Sequence, residues 1–224
     1  MKISNGVEML QLEFHGNIIY PTLLWDEEMA VLIDTGFPGQ LEDLRMTMDT
    51  AGISFDKLKI VILTHQDFDH IGSLPEILQE CGSNIKVYAH KLDKPYIEGE
   101  LPLLKDGHLE NPPKGRVDDT LKDGQELPYC GGIRVIHTPG HTPGHTPGHI
   151  SLYLKQSKTL VAGDSMYSVN GIIGGIHAPT TLDMKAARLS LNKYLDLDIE
   201  STICYHGGLS KLNINDQIQK IISY

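Results

Sequence analysis

Five short apolar runs, each released into Asp, His or Gly, constrain this chain more than any other feature of its sequence. Ala30-Val31-Leu32-Ile33 runs into Asp34-Thr35-Gly36, and Ile60-Val61-Ile62-Leu63 into Thr64-His65. Arg134-Val135-Ile136 leads to His137-Thr138-Pro139-Gly140, Thr159-Leu160-Val161-Ala162 to Gly163-Asp164, and Thr202-Ile203-Cys204-Tyr205 to His206-Gly207-Gly208. Short runs rich in β-branched residues and closed by turn chemistry read as buried strands. Each one sheds its polar residues just past its C-terminal end, where a layered sheet protein collects a site. Apolar residues at three- and four-residue spacing predict helices over Gly39–Ala51, Ser73–Gln79 and, after the acidic Asp183, Lys185–Leu195. Interleaved strands and helices favour an α/β sandwich over a helical bundle.

The chain of 224 residues can bury a sizeable core, and is read as a single domain over residues 1–224. Residues 91–115 carry four prolines and no steady period, and read as a surface excursion that covers a site as a lid. The net charge of −10 comes without a basic arm, so neither nucleic acid nor a membrane is expected as a partner. No apolar run reaches the length of a bilayer span and no signal peptide is evident, which makes the cytoplasm the expected compartment. Cys81, Cys130 and Cys204 lack CxxC spacing and read as buried thiols.

Chemistry concentrates in His65-Gln66-Asp67-Phe68-Asp69-His70. Four candidate ligands, His65, Asp67, Asp69 and His70, stand within six residues between a strand and a helix that starts near Ile71-Gly72-Ser73. They cannot all face one ion from a regular element, but a tight loop can splay them toward two neighbouring ions. Neutral His and Asp suit zinc and other divalent first-row metals. A metal reading also requires distant His and Asp at other strand ends, and Asp164 and His206 meet that requirement.

In order along the chain, Ile33-Asp34-Thr35-Gly36, the His65–His70 loop, Thr-Pro-Gly-His, Gly163-Asp164 and His206-Gly207-Gly208 resemble the signatures of the metallo-β-lactamase superfamily. The resemblance covers nearly the whole chain and implies a four-layer αβ/βα sandwich. It implies that His65, Asp67 and a Thr-Pro-Gly-His histidine hold one metal, that Asp69, His70 and His206 hold a second, and that Asp164 bridges them. Asp34 is then the residue that orients the metal loop. The implied cofactors are two divalent metal ions, zinc first. The implied activity is a dinuclear metal-dependent hydrolase that attacks a small ester-type carbonyl with a shared, metal-activated hydroxide. Asp69 would return a proton, and Tyr167, three residues after Asp164, would bind the substrate carbonyl.

Two departures stand out. Asp67 occupies a position where the family usually has His, and a hard carboxylate there opens the site to iron or manganese. Thr-Pro-Gly-His occurs three times in tandem from Thr138 to His149, so both His141 and His145 satisfy the spacing rule. His141 is preferred, because extra loop length after a ligand is tolerated better than slack before it. His137 and His149 are expected to support ligands or to lie on the surface, and His177 to line the pocket mouth or be merely solvated.

Compact length and Tyr167 favour a small-molecule lactone as substrate. The alternatives are a glyoxalase II-like thioesterase, a β-lactamase-like hydrolase, and a scaffold that binds metal but turns nothing over. A homodimer is compatible with all of them.

Overall fold

The computed structural model describes residues 1–140, 147–176 and 183–223. Its strands are β1 (Lys2–Ser4), β2 (Val7–Met9), β3 (Leu12–Phe14), β4 (Asn17–Ile19), β5 (Thr22–Trp25), β6 (Ala30–Ile33), β7 (Leu58–Ile62), β8 (Lys86–His90) and β9 (Asp119–Leu121). They continue with β10 (Glu126–Leu127), β11 (Ile133–His137), β12 (Ile150–Leu154), β13 (Thr159–Gly163), β14 (Tyr167–Val169), β15 (Ile172–Gly175), β16 (Ser201–Cys204) and β17 (Gly208–Ser210). The helices are α1 (Leu41–Thr50), α2 (Phe68–Ile71), α3 (Leu74–Cys81), α4 (Lys94–Ile97), α5 (Met184–Asn192) and α6 (Ile214–Ser223).

Two sheets carry the fold, ordered β1-β2-β5-β6-β7-β8-β9 and β10-β11-β12-β13-β16-β17. Successive side chains on a strand point to opposite faces, so a continuous apolar run implies that both faces are covered. In β6, Val31 and Ile33 join Ile133, Val135, Leu152 and Ile203 in the core between the sheets. Ala30 and Leu32 face outward with Leu44 and Met48 of α1 and Leu74 and Ile77 of α3. In β13, Val161 faces the central core, whereas Leu160 and Ala162 pack with Leu191 of α5 and Ile218 of α6. Three cores alternate with four layers, which is the αβ/βα sandwich expected from the sequence.

The helices fall close to their expected positions. Asp183 caps α5 by accepting the Ala186 N–H at 2.8 Å. The helix expected after the metal loop is α3, which starts at Leu74 just after Ser73, and the loop itself contains a further turn, since Asp69 and His70 lie on the single turn of α2 with Asp67 just before it. The segment 91–115, expected without regular structure, contains α4, which starts at Lys94-Pro95. Cys204 is buried, but Cys81 and Cys130 are only partly so. Among the described residues no helix is long and apolar enough to cross a membrane.

Candidate metal centre

The parallel strands β6 and β7 deliver Asp34 and Thr64 side by side. Asp34 takes a left-handed backbone conformation (φ 62°), which few residues other than Gly, Asn and Asp accept. This turns its buried carboxylate toward the next strand end. Oδ1 accepts the Thr64 N–H at 2.8 Å, and Oδ2 accepts the Thr64 hydroxyl at 2.8 Å. Oδ2 also lies 2.9 Å from His70 Nδ1.

These contacts set two imidazoles. A carboxylate only accepts, so His70 Nδ1 donates to Asp34 and Nε2 turns away from it. The single Thr64 hydroxyl proton goes to Asp34, so Thr64 Oγ1, 3.0 Å from His65 Nδ1, accepts from that ring. Both Nε2 atoms then face inward, buried and without a hydrogen-bond partner among the described residues. A buried polar atom left unbonded is costly. Two imidazole Nε2 atoms that turn inward among carboxylates and can give up a proton to a divalent ion supply the donor chemistry of a metal centre, so the residues present fit the group the sequence implies.

The ligand atoms of His65, His70 and Asp164 lie within 4.8 Å of one another, and so do those of Asp69, His70 and His206. The sets share His70, and Asp164 also approaches His206, with Oδ2 3.4 Å from its Nε2. Asp67 Oδ2 is 3.5 Å from His65 Nε2 and from Lys105 Nζ, while Oδ1 accepts the Gln66 side-chain amide at 2.7 Å. The structure therefore gathers His65, Asp67, Asp69, His70, Asp164 and His206 at one place. His141, His145 and His177 lie outside the described residues. Tyr167 sits on β14 with its ring against Gly174, where a Cβ would come within 2.2 Å of it.

The electrostatics follow from crowded carboxylates. Burial opposes charge on His70, but Asp34, Asp164 and Asp69 outweigh it and hold its pKa well above the ordinary value. Asp164 is the main cause of the rise of His206 to about 10. Burial works against ionisation of Asp69 and Asp67, yet the charge of His70 on the first and of His65 on the second brings both carboxyls below their ordinary value. A pocket of such negative potential is relieved by a bound cation.

Several supporting residues carried no signal in the sequence. Tyr205 stacks on His70 with ring centroids 3.8 Å apart, and its hydroxyl donates to the Asp69 carbonyl at 2.5 Å. Thr35 donates both its N–H and its hydroxyl to the His70 carbonyl, at 2.7 and 3.0 Å. Asp93 accepts the Gln66 N–H at 3.1 Å and the Gly148 N–H at 2.8 Å, and burial raises its pKa to about 8. Gln66 also accepts the Leu104 N–H at 3.0 Å, so the metal loop, the excursion and the end of the repeat share one set of bonds.

Thr138 and His149, the two ends of the repeat, close the β11–β12 hairpin, with the Thr138 N–H donating to the His149 carbonyl at 2.8 Å. Just after Thr138, the Pro139 carbonyl accepts the Ser190 hydroxyl of α5, and a Cβ on Gly140 would collide with Ala187. His149, in the last unit, is fully buried, with Nε2 accepting the Asp164 N–H at 3.0 Å. Gly163 makes this approach feasible, since a Cβ there would lie 2.8 Å from that nitrogen. His137 is half-buried and stacks on His90 at 4.2 Å.

Known proteins share the sequence family and the fold. The sequence profile of the metallo-beta-lactamase superfamily matches residues 16–206. The "Probable metallo-hydrolase YflN" of Bacillus subtilis is 31% identical, with 91% of this chain and 84% of that protein covered. The "Metallo-beta-lactamase fold-containing protein ST1585" of Sulfurisphaera tokodaii is 29% identical, over 85% of this chain and 73% of the other. The crystal structure of the metallo-beta-lactamase family protein TTHA1429 from Thermus thermophilus superposes with a TM-score of 0.74 at 20% identity, covering 99% of this chain and 80% of that one. Fold and sequence kinship agree, and the chain belongs to the metallo-β-lactamase superfamily.

Proposed function

We propose that this metallo-hydrolase cleaves a small ester-type carbonyl substrate, a lactone first, at a centre for two divalent cations. The observation that carries the reading is the pair of inward-facing Nε2 atoms of His65 and His70, fixed from behind by Thr64 and Asp34 among the carboxylates of Asp67, Asp69 and Asp164. His65, Asp67 and either His141 or His145 would hold one ion, Asp69, His70 and His206 the other, and Asp164 both, with zinc the first candidate. Bound divalent ions supply Lewis acidity, which acidifies water and polarises a carbonyl oxygen.

The protein's part is to hold and to move protons. Asp34 and Thr64 occupy the Nδ1 side of His70 and His65 and leave each Nε2 as the nitrogen that would reach an ion, and Gln66 and Asp93 fix the backbone between His65 and Asp67. Tyr205 holds the Asp69 backbone from below, so the Asp69 carboxylate keeps its place beside His206, 3.3 Å away. Ionised and close to the centre, Asp69 is the group we assign to carrying a proton to the leaving alkoxide. Tyr167 is assigned to the substrate carbonyl. Its strand is joined to the turn that bears His206, since the Ser168 N–H donates to the His206 carbonyl at 3.0 Å.

Turnover of a panel of lactones, thioesters and β-lactams by metal-loaded protein tests the reading. Lactone hydrolysis that stops on chelation and returns with zinc supports it. Preference for a thioester or β-lactam replaces the substrate assignment, and metal binding without turnover on the whole panel leaves a scaffold.

A further inference from the structure

Lys105 has no role in the reading above, yet its position is fixed. Leu103 is buried and the Leu104 N–H is bonded to Gln66, itself fully buried, so the backbone just before Lys105 is anchored to the metal loop. From there the ammonium reaches 3.5 Å from Asp67 Oδ2. Among the described residues it is the one Lys or Arg within ion-pair distance of a carboxylate of the centre. Its side chain is 40% exposed while that of Asp67 is fully buried, which puts the charge where the centre opens to solvent.

That ammonium has three donors, and among the described residues its one polar partner is Asp67, at a distance well beyond the roughly 2.7–2.9 Å of a strong charge-assisted bond. Around it stand Asp67, Asp69 and Asp164, on a protein of net charge −10. With the centre loaded, the cations offset these carboxylates, and Lys105 adds a positive side chain at the rim that can meet the far end of an anionic substrate.

We propose that Lys105 is a specificity-determining residue: its ammonium binds a carboxylate carried by the ester-type substrate, so the enzyme prefers anionic acyl compounds. The proposal rests on the hydrolase reading above and narrows its substrate class. A neutral lactone or ester lacks the group that Lys105 pairs with. An anionic one gains an ion pair at the rim while its carbonyl lies over the centre.

The test compares two 4-nitrophenyl esters of equal acyl length, the glutarate monoester with a free carboxylate and the neutral pentanoate, on zinc-loaded wild type, Lys105→Met and Lys105→Arg. Lys105→Met is expected to raise KM for the glutarate ester far more than it lowers kcat. The preference for glutarate over pentanoate is expected to fall by about tenfold or more, the scale of a lost hydrogen bond to a charged group. Lys105→Arg is expected to keep most of that preference. Calorimetric binding of free glutarate is expected to weaken in Lys105→Met by a similar factor at unchanged zinc content. Equal effects on both esters, unchanged glutarate affinity, or loss of zinc in Lys105→Met would overturn the proposal and leave Lys105 a counter-ion of Asp67. If wild type cleaves neither ester nor any lactone, thioester or β-lactam, the hydrolase reading fails by itself, and the glutarate titration still decides the role of Lys105.

Discussion

His149 Nε2 accepts the backbone N–H of Asp164 at 3.0 Å. A backbone N–H only donates, so the His149 proton is on Nδ1, which lies 2.8 Å from the Thr138 hydroxyl. The last histidine of the tandem repeat is thereby committed to fixing the carboxylate between the two ligand sets. His149→Ala is expected to lower zinc affinity about 10–100-fold, as removal of a ligand's support does. It is expected to cost about 1–3 kcal/mol of stability by leaving the Asp164 N–H unbonded. Competition with a zinc chelator and thermal melting measure the two effects, and wild-type behaviour in both would remove His149 from the site.

Asp34 holds His70 in the tautomer a metal needs. In Asp34→Asn the amide oxygen can still accept from Thr64, but the amide nitrogen then donates to His70 Nδ1 and shifts the ring proton to Nε2. Asn also accepts the left-handed backbone at this position, where φ is 62°. Asp34→Asn is therefore expected to fold at near wild-type stability yet lose metal affinity about 10–100-fold, the scale of losing a ligand's supporting partner. Tight metal binding by Asp34→Asn would refute the tautomer argument.

Metal uptake is expected to release protons. In the metal-free protein the His206 pKa is raised to about 10, chiefly by Asp164, and that of His70 is also well raised. Both rings are protonated at neutral pH, and a ring nitrogen must shed its proton to coordinate. Apparent zinc affinity should climb from pH 7 toward pH 10, with proton release visible by calorimetry in buffers of different ionisation heat. The sign for stability is opposite. A raised histidine pKa stabilises the folded state fully below the unfolded value of 6.5, and this is lost as pH rises through about 10. The metal-free protein should melt progressively lower over that interval, and a flat profile would contradict the coupling.

The repeat offers two histidines for one coordination position. If His141 is the ligand, His141→Ala should lose metal from the first site while His145→Ala keeps it, and the reverse holds for His145. If the two compete, only the double variant should empty that site. Deleting one Thr-Pro-Gly-His unit is expected to leave metal bound at least as tightly, since the shorter loop costs less closure entropy. Elemental analysis of the four variants checks this, and metal loss on deletion would show that the longer loop is needed.

Asp164→Ala removes a carboxylate near both His70 and His206, 3.4 Å from each ring nitrogen. Metal content and activity are expected to fall together. Full retention of metal would exclude a bridging role.

The apolar runs and their polar endings were enough, in the sequence alone, to point to an α/β sandwich with a site at its strand ends, and the family resemblance implied its four layers and the set His65, Asp67, Asp69, His70, Asp164 and His206. Periodicity is local, and strand ends converge once the strands align. Short edge strands such as Lys2–Ser4 left no such mark, because a few residues paired on a sheet edge have no period to read. Only the tertiary structure decided which partners stand behind the ligands. Tyr205 reaches Asp69 across 136 residues of chain, His149 reaches Asp164 through the gap left by Gly163, and Lys105 meets Asp67 because Gln66 anchors Leu104. A tyrosine, a histidine and a lysine carry nothing in their own sequence neighbourhood that names a distant partner. Those pairings come from the packing of separate loops, where each buried polar group must find a bond once water is excluded.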